Sequence, residues 1–101
     1  MSGNHSRRKG YGFERAFVNY MREGDVSCRR VPLSGAGEEK GDVTISVCWS
    51  DAPLRGELKR RKELPAWLTS ALGDHHFVAL REDRGETLVL MRVSFFRDLL
   101  Q

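Results

Sequence analysis

The chain has 101 residues, with 17 Lys and Arg against 14 Asp and Glu, a formal net charge of +3 and 40% hydrophobic residues. That is apolar enough for one packed core and too short for an elaborate enzyme, so any active site must be compact. No apolar run reaches membrane-spanning length, and the N-terminus MSGNHSRRKG lacks the apolar centre of a signal peptide, which points to a cytoplasmic protein with no membrane partner.

In chain order, residues 1–8 read as a flexible basic arm and 9–101 as one domain. GYGFERAFVNYMREG repeats Phe13, Ala16, Phe17, Tyr20 and Met21 at helical spacing and stops at Gly24. VSCRRVP is a short strand ended by Pro32, and LSGAGEEKG a glycine-rich loop. DVTISVCW alternates and is rich in β-branched residues, so it reads as a strand; SDAP turns the chain and LRGELKR returns as its partner.

ELPAWLTSALG places Leu64, Trp67, Leu68, Ala71 and Leu72 on one helical face, with Pro65 in the first turn and Gly73 as the stop. HFVALRE and TLVLMRV form two strands about the DRGE turn, and Ser94 caps a last helix, FFRDLL. The order α-β-β-β-α-β-β-α predicts an α/β sandwich on a mixed five-stranded sheet. Cys28 and Cys48 lie in predicted strands without zinc-site spacing and read as buried small residues. His75 and His76 read as turn residues at the surface, and Trp67 as a core or interface anchor.

Basic residues gather at 7–9, 29–30 and 59–62, the footprint of a polyanion partner or simply solvated surface. Acid-x-Lys occurs twice. Glu38-Glu39-Lys40 falls in the glycine-rich loop, where nothing holds its side chains in register. Glu57-Leu58-Lys59 falls on a strand, where residues two apart share a face, and Asp42 opens the neighbouring strand. Strands in a hairpin lie roughly 5 Å apart, and carboxylates that close repel unless a cation lies between them. Hard oxygen ligands in small number suit Mg2+, and a lysine beside it can stabilise a phosphate or orient water. A structural salt bridge of the hairpin is the plainer alternative.

Asp42, Glu57 and Lys59 resemble the PD-(D/E)XK nuclease motif, and residues 7–62 are similar to the archaeal-type Holliday junction resolvases of that superfamily. RRKGYGFER, with Glu14 and Arg15, matches their basic stretch, glycine and E-R pair; RVPLSG at 30–35 matches R-V-P-x-S-G; Gly41-Asp42-Val43 stands where they have P-D or G-D before E-x-K.

The resemblance implies a single restriction-endonuclease-like domain, Mg2+ with Mn2+ substituting, and no small-molecule cofactor. It implies that Glu14 joins Asp42, Glu57 and Leu58 at the metal, that Lys59 is catalytic and that Ser34 lies near the active site. It implies that Arg30 contacts DNA phosphate; Arg7, Arg8, Lys9, Arg15, Arg29, Arg60, Arg61 and Lys62 complete the expected DNA-binding set. The partners implied are branched DNA, especially four-way junctions, and a second copy of the chain. Trp67, Leu68 and Leu72, with Phe95, Phe96, Leu99 and Leu100, are the apolar residues set aside for that dimer. A less selective nuclease for flaps, forks or nicked duplex, or a DNA-binding module with a decayed site, are the competing readings.

Overall fold

The structure, a computed structural model, describes residues 2–32 and 41–101, with side chains from Gly12 onward. Ser34 and the second acid-x-Lys copy at 38–40 lie outside the described residues. The elements follow in the expected order: α1 (Ser2–Glu23), β1 (Ser27–Arg30), β2 (Val43–Ser46), β3 (Leu54–Gly56), α2 (Ala66–Leu72), β4 (Phe77–Leu80), β5 (Leu88–Met91) and α3 (Val93–Leu100). The class is α/β, but no five-stranded sheet forms. The strands make a three-stranded antiparallel sheet, β1-β2-β3, and a separate two-stranded one, β4-β5. Alternation marks a segment as a strand without naming its partner, which is a tertiary choice.

The chain falls into two compact units, 1–60 with 100–101, and 61–99. In the first, the segment read as a basic arm is continuous from Ser2 with α1. Among its described side chains Val18 and Met21 are buried, whereas Ala16 is exposed, so the inward stripe there is turned from the one the spacing suggested. The stop is shared: Val26 N–H returns to the Met21 carbonyl at 3.0 Å, and Asp25 rather than Gly24 takes the left-handed conformation, φ 63°. Arg22 Nε donates to the Cys28 carbonyl at 2.9 Å and so ties the end of α1 to β1.

The sheet registers Cys28 against Ile45 and Arg30 against Val43, and Val43, Thr44 and Ile45 of the central strand are all buried. Together with Val18, Met21, Val26, Cys28 and Val31 they form the core of this unit. Cys48, read as a buried strand residue, is exposed, because β2 ends at Ser46 and the chain is already turning.

In the second unit, β4 and β5 register from Phe77 with Met91 to Leu80 with Leu88, and Arg84 carries the left-handed turn between them, φ 63°. Pro65 precedes α2 as its N-cap, and Leu72 is its buried residue. Arg92 closes the other end of α2 by donating to the Gly73 and His75 carbonyls. His75 and His76 are exposed as expected, with the His76 ring 5.2 Å from that of Phe95. Ser94 does not cap α3. The helix begins at Val93, with Phe96 N–H on the Arg92 carbonyl, which puts Ser94 inside the first turn. Of the apolar residues set aside for a dimer, Trp67 and Leu99 are exposed, at 59% and 57%, whereas Leu72 is buried. No helix among the described residues is long and apolar enough to cross a membrane.

Candidate active site

The approach to Asp42 depends on two glycines. Gly41 sits at φ +89°, and a Cβ there would lie 2.9 Å from the Gly56 carbonyl oxygen. Proline, with φ locked near −65°, has no access to that conformation. Glycine in place of the motif's proline is therefore what this backbone requires.

The β2–β3 ladder ends at this point. Val43 is the last residue of β2 registered, against Gly56, and the N–H of Asp42, just before the strand, also donates to the Gly56 carbonyl, at 2.8 Å. On its other side the Asp42 carbonyl accepts from Val31 N–H at 3.0 Å. The Asp42 carboxylate reaches the segment just past β3: Oδ2 accepts the N–H of Leu58 at 2.7 Å. An acid at the start of the central strand is thereby joined to the main chain of the acid-x-Lys stretch. A carboxylate has acceptor capacity for further partners beyond one such bond.

β3 ends at Gly56, so Glu57 and Lys59 lie just past it. Lys59 Nζ and Glu57 Oε2 nevertheless meet at 3.0 Å, with side chains 62% and 56% exposed. The two side chains meet although no strand pleat holds them there, contrary to the expectation that both lie on a strand. Asp42, Glu57 and the Leu58 carbonyl are hard oxygen donors carried by adjoining segments, so in kind they fit a small divalent cation that keeps several waters.

Glu14 has a partner of its own. It is bonded to Arg30, whose Nε donates to Glu14 Oε1 at 3.1 Å. Among the described residues no three Asp, Glu, His or Cys gather as a metal-binding group.

The basic clusters are divided by strand geometry. Arg30 faces α1 through its pair with Glu14, whereas Arg29, one residue earlier, is exposed and registers through Thr44 with Arg55. Arg55, exposed on β3, joins Arg29 in one cross-strand row. It stood outside the basic runs, and only the pairing of three strands reveals it. Arg15, Arg60, Arg61 and Lys62 are exposed; Arg7, Arg8 and Lys9 belong to α1, and their side chains lie outside the described residues.

No family model, curated protein or solved structure matches the chain.

Proposed function

We propose that the chain is a metal-dependent endodeoxyribonuclease that hydrolyses phosphodiesters in branched DNA, four-way junctions above all. The observation that carries the reading is the 2.7 Å bond from Leu58 N–H to Asp42 Oδ2, which joins the acid just before β2 to the acid-x-Lys stretch just after β3. Held by that bond and by the close approach of Gly41 to Gly56, the Asp42 carboxylate is oriented before substrate arrives.

Asp42, Glu57 and the Leu58 carbonyl are the residues that would hold Mg2+ or Mn2+. When bound, such an ion supplies Lewis-acid stabilisation and a more acidic water. Lys59 and Glu57 are more than half exposed, so their ion pair is weak. Lys59 can turn from Glu57 to a phosphate at small cost and there offset developing negative charge.

Junction preference is supported by the RVPLSG resemblance and by arginine clusters suited to phosphates rather than base edges. Resolution needs two symmetric cuts, and Asp42, Glu57 and Lys59 make one site per chain. A C2 homodimer supplies the second, with exposed Trp67 and Leu99 as candidate contacts.

The test is incubation with Mg2+ or Mn2+ and end-labelled junction, fork, flap, duplex and single-stranded DNA, beside light scattering of the protein. Paired symmetric cuts in the junction by a dimer are expected. Equal cleavage of flaps and forks would favour the less selective nuclease, and binding without cleavage under either metal would leave a DNA-binding module.

A further inference from the structure

We infer that Glu14 acts on DNA through Arg30, as a positioning residue for a phosphate-binding guanidinium, and is not a metal ligand. The inference rests on the nuclease reading above and departs from the role that the resemblance implies for Glu14. Glu14, Val18 and Met21 stand at helical spacing on one stripe of α1, and the last two are 5% and 0% exposed. The carboxylate therefore sits at the edge of an apolar face, where a charge is costly unless paired. Arg30 follows buried Cys28 by two residues and registers against buried Val43, so it reaches the same side of the sheet.

The side chains that meet there are 29% and 20% exposed, for Arg30 and Glu14 respectively. The bond is made through Nε, on the side edge of the guanidinium, which sets the plane of the fork. A phosphate would address the end edge, formed by the two Nη groups. Arg30 also immediately precedes Val31, whose N–H donates to the Asp42 carbonyl, so the guanidinium is carried on the strand beside the proposed cleavage site. A divalent cation approaching Glu14 would meet a guanidinium already against that carboxylate, and like charge disfavours it there.

Two measurements test this. Junction binding is followed by fluorescence anisotropy in EDTA over a range of salt, and Mn2+ binding to the DNA-free protein by calorimetry. Arg30→Ala is expected to weaken junction binding roughly tenfold or more and to lower the log–log salt slope by about one. Glu14→Ala should do the same, with the double variant no weaker than Arg30→Ala. Glu14→Gln, which keeps an oxygen for Nε, should recover most of the affinity and also serves if the alanine variant fails to fold. Mn2+ affinity should be unchanged in all of them and lost in Asp42→Asn. Loss of Mn2+ affinity in Glu14→Gln with junction binding intact would make Glu14 a ligand and overturn the inference, as would wild-type junction affinity in Arg30→Ala. If the unaltered protein bound neither junction nor Mn2+, the nuclease reading would fall first, and this inference with it.

Discussion

Asp42 offers a substitution series in which stability and catalysis separate. Its Oδ2 accepts Leu58 N–H at 2.7 Å in a partly buried setting. A hydrogen bond to a charged group contributes about 1.5–3 kcal/mol. Asp42→Ala removes the acceptor and leaves the Leu58 N–H without it, so a loss of about 2 kcal/mol is expected. For a chain of this size that is on the order of 10 °C in the thermal midpoint. Asp42→Asn keeps a carbonyl oxygen for the same N–H and forfeits only the contribution of charge, about 1 kcal/mol or less. If the carboxylate is a metal donor, both variants lose cleavage completely, although the asparagine variant stays close to the parent in stability. The assay pairs thermal denaturation by circular dichroism with Mg2+-dependent cleavage of a labelled junction. Wild-type cleavage by Asp42→Asn would refute the catalytic assignment and leave Asp42 as a clamp on the end of β3.

Four further outcomes are expected. Gly41→Ala should cost about 2 kcal/mol or more, since left-handed backbone disfavours a Cβ and this one would lie 2.9 Å from the Gly56 oxygen; a denaturant midpoint equal to the parent's would contradict the backbone described. Lys59→Met should leave the denaturant midpoint nearly unchanged, because an exposed ion pair contributes roughly 0.2–1 kcal/mol, yet abolish cleavage; retained turnover would remove Lys59 from the site. Native protein should titrate one thiol with a disulfide reagent, exposed Cys48, and denatured protein two. Burial raises the Cys28 pKa above its ordinary value, against a smaller opposing pull from Arg22. The folded state therefore holds that proton more tightly than the unfolded one, so this contribution to stability is complete below the unfolded thiol pKa, about 8.5. It is lost as pH rises through the folded pKa, and Cys28→Ala should flatten that part of an alkaline denaturation curve.

By itself the sequence determined the elements and their order, because helix and strand periodicities are set residue by residue along the chain. The stop after α1 and the hairpin of β2 and β3 are local in this sense. Tertiary structure decided what those elements meet. Five strands were legible but not their division into three and two, since alternation is the same whichever partner a strand takes. Cys48 continued an alternating run that the turn cut short, and the pleat set Arg30 against Glu14 while leaving adjacent Arg29 exposed. The site shows the same division. The acids and lysine of the proposed site are read from spacing, whereas the left-handed Gly41 against Gly56, the Asp42 N–H on the Gly56 carbonyl and the Asp42 bond to Leu58 join segments 14 to 16 residues apart. Glu14 depends on an arginine 16 residues away. Whether a carboxylate faces a metal or a guanidinium is decided by which strand closes against its helix, and one-dimensional spacing holds no term for that closure.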